Sequence, residues 1–235
     1  MKKDIIILAV DAGKYENIGV FWNQEETPIH KENFITKFVC KLQILKKAIV
    51  AIESPLFIPS GNLNEIAKSR KGVDIVAGMS RPWSMSASFS CGLQFLDIFF
   101  SQLPEKTYIF TSVDEFSKAE KGILICEAFI SGGGNDFKIR NARKNHINAY
   151  YNQHSEKNRH NHDAECAVSL LEKMEQVREL EFNQKYINLP YLLTISSPHL
   201  EFCGKRNTGI IVRSPKPCFE PEAKQQEILK IIFNQ

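Results

Sequence analysis

Apolar residues recur along this chain in two rhythms. Ile5-Ile6-Ile7-Leu8-Ala9-Val10 and Ala48-Ile49-Val50-Ala51-Ile52 are apolar at every position, as in strands covered by helices on both faces of a sheet. Gly122-Ile123-Leu124-Ile125-Cys126 repeats the pattern. Residues 37–47 instead place leucine and isoleucine at helical spacing among lysines, which predicts a helix lying on the sheet. Residues 89–103 read as a second helix and 162–179 as a third, with Ala164, Ala167, Val168, Leu170, Leu171 and Met174 on its buried face. Ile18 to Trp22 offers a strand returning antiparallel to the first after the turn at 13–17. Further strands are expected around 30–35 and at 107–111.

Between these elements, 57–90 is polar and glycine-punctuated and reads as an elaborated loop with a short helix near 63–71. Residues 136–151 form a basic helix candidate. Beyond about Phe182, prolines at 190, 198, 215, 217 and 221 interrupt the pattern before a last helix at 220–233. The expected architecture is α/β, a mixed five-stranded sheet flanked by helices over 1–180, with a C-terminal extension, 181–235, packing on it.

Composition narrows the function classes. With 235 residues, 43% of them hydrophobic, the chain suffices for one full-sized domain and an appendage. Thirty basic residues against 27 acidic ones leave a net charge of +3, so any affinity for phosphate must be local. The six cysteines stand singly rather than in the close pairs of zinc sites, which fits reduced thiols in a cytoplasmic protein. The first apolar run is short and leads into Asp11, unlike a signal peptide, and no stretch is long and apolar enough to suggest a membrane span.

Each of the three buried strands runs into a carboxylate: Asp11, Glu53 and Glu127. Parallel neighbours would bring these to one edge of the sheet, where ligand sites of open α/β sheets lie. A fourth acid, Asp163, falls in the first turn of a late helix, where the helix dipole favours negative charge. Singly, each has a bland reading: a turn cap, a partner for lysine, a helix-start residue. Jointly they form a crowd of like charges that Mg²⁺ or Mn²⁺, which prefer oxygen ligands, would neutralise.

Val10-Asp11-Ala12-Gly13, Ala51-Ile52-Glu53-Ser54-Pro55-Leu56 and His162-Asp163-Ala164-Glu165-Cys166-Ala167 together resemble the ribonuclease H-like superfamily. The likeness is to its predicted bacterial nucleases of unknown function and, more distantly, to RuvC-type Holliday-junction resolvases, over about residues 4–178. It implies a two-metal-ion nuclease in which Asp11 bridges both ions, Glu53 binds one, Asp163 completes the second site, and Glu127 is an additional catalytic acid. At 166, where the late-helix motif often carries another aspartate, this chain has cysteine.

Nucleic acid is the expected partner, and a homodimer is compatible with the sequence. Lys138, Arg140, Arg143 and Lys144 would grip the backbone; Arg81 would hold a phosphate while Trp83 stacks on a base. His146, His154, His160 and His162 invite a metal reading, but the His162-Asp163 dyad belongs to all-helical phosphohydrolases and this chain opens with strands. Two other functions fit part of the pattern: a catalytically idle ribonuclease H-like module that binds nucleic acid or protein, suggested by Cys166, and an actin-like or sugar-kinase-like ATPase, suggested by Asp11-Ala12-Gly13.

Overall fold

The structure is a computed structural model, and its described residues are 5–11, 18–23, 33–59, 82–129, 159–172, 177–181 and 186–213. The three all-apolar runs are strands β1 (Ile5–Asp11), β3 (Lys47–Ile52) and β6 (Gly122–Phe129), parallel and adjacent in that order. β2 (Gly19–Trp22) runs antiparallel along the outer side of β1. The other side of β6 is shared, β5 (Thr107–Phe110) pairing with its first half and β10 (Thr208–Arg213) with its last residues, both parallel. β9 (Leu200–Cys203) lies parallel to β5, and β7 (Val177–Glu181) antiparallel to β10. A separate pair joins β4 (Phe57–Pro59) to β8 (Tyr186–Asn188).

Alternation along the strands divides the core into two layers. Ile6, Leu8, Val10, Val50, Ile52, Ile123 and Ile125 face α1 (Phe34–Leu45) and α2 (Pro82–Ser101), whose Phe38, Phe95, Phe99 and Phe100 pack against them. Ile7, Ala9, Ile49, Ala51, Leu124 and Cys126 face α4 (Arg159–Glu172), with Ala164, Ala167, Val168 and Leu171, and Phe116 of the short α3 (Val113–Lys118). Both faces are covered, which is why these strands read as continuous apolar runs rather than alternating ones.

Several expectations are corrected. Among the described residues the main sheet has eight strands, not five. Its added members are β7, just before the proline-punctuated part of the chain, and β9 and β10 within it, runs of four to six residues that carry little periodic signal of their own. The chain beyond Glu181, expected to pack on the domain, thus adds β9 and β10 to the same sheet; α5 (Leu189–Ile195), capped by Asn188, lies between β8 and β9. Residues 177–179, read as the end of the late helix, belong to the strand Val177–Glu181: its Glu, Arg and Leu suit a helix locally, but pairing with β10 decides. Residues 34 and 35, read as strand, begin α1. α2 starts at Pro82, seven residues before the expected start at 89, with proline in its first turn where no N–H is needed. Among the described residues no helix is long and apolar enough to cross a membrane.

Candidate metal centre

Asp11 is the last residue of β1 and Glu53 directly follows β3. Because β1 and β3 are in register with Val10 opposite Ile52, the two acids are next to each other, and the Glu53 N–H donates to the Val10 carbonyl at 2.8 Å. Both continue the face covered by α4, and that helix supplies the third acid, Asp163, in its second turn. Carboxylate oxygens of Asp11, Glu53 and Asp163 lie within 4.8 Å of one another; Asp11 and Asp163 are buried and Glu53 half-buried. Two full charges at that separation repel by roughly 3 kcal/mol at an effective dielectric near 20. All the donors are carboxylate oxygens, the set that hard divalent cations such as Mg²⁺ and Mn²⁺ take, with water completing the shell. The residues therefore fit the expected ion by donor chemistry and spacing.

The approach of α4 depends on a glycine. Gly19 is the cross-strand neighbour of Asp11, and a Cβ there would lie 1.9 Å from the backbone carbon of His160. The missing side chain lets the first turn of α4 rest on β2, where Asn161 Oδ1 accepts the Val20 N–H at 3.2 Å. It also brings His160 Nδ1 to 2.6 Å from Asp11 Oδ2; a carboxylate only accepts, so the ring N–H donates. We expect Gly19→Ala to cost about 1–3 kcal/mol by overpacking and to weaken Mn²⁺ binding by shifting Asp163, measurable by chemical denaturation and calorimetry. Unchanged Mn²⁺ affinity in this variant would mean that the close approach does not set the site.

Glu127 is brought to the same end of the sheet but not into the cluster. The register pairs it with Ile52, so it points to the face of α1 and α2, and the position one step on, level with Glu53, is Ala128. Glu127 is fully buried, and its Oε1 accepts the N–H groups of Leu56 and Phe57 at 2.6 and 2.8 Å. It thereby holds the segment that leaves Glu53. The same segment needs Gly92 of α2, where a Cβ would lie 2.0 Å from the buried Ser54 Oγ.

No family model, curated protein or solved structure matches the chain. The likeness to the ribonuclease H-like superfamily accordingly rests on the three motifs, and the site on its geometry.

Cys166, in place of the motif's second aspartate, is buried with Ala164, Ala167 and Val168 in the layer between α4 and the sheet. Burial, and then the charge of Glu127, push the Cys126 thiol far above its usual range, so it remains protonated. Trp83 falls in the first turn of α2; Arg81, Lys138, Arg140, Arg143 and Lys144 lie outside the described residues. His160, which the sequence offers only as one of four histidines with a discounted metal reading, is brought against Asp11. Its signal was its place three residues before Asp163, which on a helix puts both side chains on one face.

Proposed function

We propose that this chain is a Mg²⁺- or Mn²⁺-dependent nuclease that hydrolyses nucleic-acid phosphodiesters, using two ions held by Asp11, Glu53 and Asp163. The observation that carries the reading is the convergence of three carboxylates from separate elements on one point at the carboxyl edge of a parallel sheet. The motif resemblance to ribonuclease H-like nucleases supports it. Bound divalent ions would lower the pKa of a water and offset charge on the phosphoryl oxygens.

The chain's own residues have separate tasks in this reading. Asp11 serves two neighbours, the ion and the His160 ring, which it orients through Nδ1. Nε2 of a neutral His160 is then the acceptor available to take a proton from an attacking water. The ring is partly exposed, with 29% of its side chain accessible, so solvent reaches it. Glu127 supports Glu53 from the opposite face through the backbone of Leu56 and Phe57.

The test is cleavage of single- and double-stranded DNA and RNA by the full chain with Mn²⁺ or Mg²⁺, beside Asp11→Asn. Losing a ligand that supports several kcal/mol of charge stabilisation should slow cleavage by about a thousandfold or more. Equal cleavage by wild type and variant, or none by wild type at any metal concentration, overturns the proposal. Salt-sensitive binding without turnover would instead favour an idle binding module.

A further inference from the structure

At the end of the sheet opposite the acids, three connections each deliver a lysine immediately before a parallel strand. Lys46 precedes β3, Lys106 precedes β5 and Lys121 precedes β6. All three are exposed and line one cavity of about 150 Å³, with Leu42, Pro104 and Tyr108 among its other walls. Lys46 and Lys106 have φ of 64° and 58°, and Gly122, after Lys121, has φ of 131°. Left-handed backbone at a non-glycine residue other than Asn or Asp is uncommon, and here it occurs twice at the rim of one cavity. Lys46 caps α1, donating its N–H to Leu42, while Lys106 donates its N–H to the His199 carbonyl. The backbone amides of Lys46 and Lys106 are thus engaged, so what these residues offer a ligand is their ammonium groups.

None of the three lysines forms an ion pair with another described residue; Lys121 lies over the Tyr108 ring at 5.0 Å. The acid in the lining is Glu105, so the side chains around the cavity carry net positive charge. Like charges arranged in this way call for an anion. The volume is below the 300–1,000 Å³ typical of pockets for whole small molecules, and suits a single tetrahedral oxyanion.

We propose that Lys46, Lys106 and Lys121 form a phosphoryl-binding site, separate from the metal centre and at the opposite edge of the sheet. The six residues of β3 put about 20 Å between the two ends at ~3.3 Å per residue, so the site is not a subsite of the acidic cluster. It takes one phosphoryl group, as a free phosphate or as a phosphodiester of a bound polynucleotide.

The experiment is titration of the full-length protein with inorganic phosphate at low ionic strength, followed by amide NMR, with a single-stranded oligothymidylate as competitor. The comparison protein carries Lys46→Asn, Lys106→Asn and Lys121→Gln, since asparagine tolerates the left-handed backbone. Phosphate should move the resonances of residues 46, 106 and 121 saturably, and the triple variant should bind at least about tenfold more weakly, each charge-assisted contact being among the stronger hydrogen bonds. Glu105→Gln should bind more tightly, an effect that lost folding cannot imitate. Competition by the oligonucleotide, lost in the same variant, assigns the phosphate to a nucleic-acid backbone; phosphate binding without competition assigns it to a free anion. Phosphate affinity unchanged in the triple variant, or no saturable response at these residues, overturns the proposal. Neither result bears on the acidic cluster, which Asp11→Asn tests separately.

Discussion

Glu127→Ala is expected to destabilise the protein by about 3–5 kcal/mol, a larger loss than substitution of any acid in the cluster of Asp11, Glu53 and Asp163 should cause. The Leu56 and Phe57 N–H groups donate to one buried oxygen, and deleting it leaves two donors unsatisfied at about 1–3 kcal/mol each, together with a cavity. Glu127→Gln keeps an acceptor oxygen of the same reach and should cost about 1–2 kcal/mol, because a neutral acceptor makes a weaker bond than a carboxylate. Denaturant titration reads both. The pair also separates two roles for this acid. If Glu127 acts by supporting the backbone after Glu53, the glutamine variant retains near wild-type Mn²⁺ affinity. Loss of that affinity in a protein that remains folded would make Glu127 a ligand.

The second large effect concerns Asp163. Its carboxylate lies within 4.8 Å of those of Asp11 and Glu53, and it is 3% exposed, so in metal-free protein it adds a buried like charge that little water screens. Asp163→Asn removes that charge at almost constant shape. We expect the metal-free variant to be as stable as wild type or more stable, by about 1–3 kcal/mol, the range for relieving one close repulsion at an effective dielectric near 20. Mn²⁺ should reverse the order. Wild type gains about 2.7 kcal/mol when the ion is present at a hundred times its dissociation constant, while the variant gains much less. Thermal unfolding with and without Mn²⁺ measures both arms. A variant less stable than wild type without metal, and stabilised equally by Mn²⁺, would mean that Asp163 is a structural acid held by its neighbours rather than part of an ion site.

Glu127 and Asp163 are thus expected to respond to substitution in opposite ways, and what sets Glu127 apart from the other strand-end acids is parity. Asp11, Glu53 and Glu127 all follow an apolar run, and in sequence they look equivalent. A strand reverses its side chains at each residue, so whether an acid joins the cluster depends on its register against its neighbours. β3 and β6 align Ile52 with Glu127, a shift of one residue from the alignment that would have put Glu127 beside Glu53. The acidic cluster keeps three acids, and the fourth becomes the buried acceptor for the Leu56 and Phe57 N–H groups after Glu53.

What the sequence determined by itself was local: strands β1, β3 and β6, the antiparallel return of β2, and the helical faces of α1 and α4, because burial on both sides of a sheet or on one side of a helix leaves a period in the chain. Asp11, Glu53, Glu127 and Asp163 were legible as a group for the same reason, each being tied to the end or start of such an element, and the structure clusters all but Glu127. Only the tertiary structure decided the rest. The closeness of His160 to Asp11 follows from the absent side chain of Gly19, the strand state of 177–181 from its partner β10, and the side taken by Glu127 from a register between distant segments. The three lysines of 46, 106 and 121, far apart in the chain, share a cavity because β3, β5 and β6 begin at one edge. In each case the deciding contact joins residues far apart in the chain, and no periodicity within either segment encodes which partner it will meet.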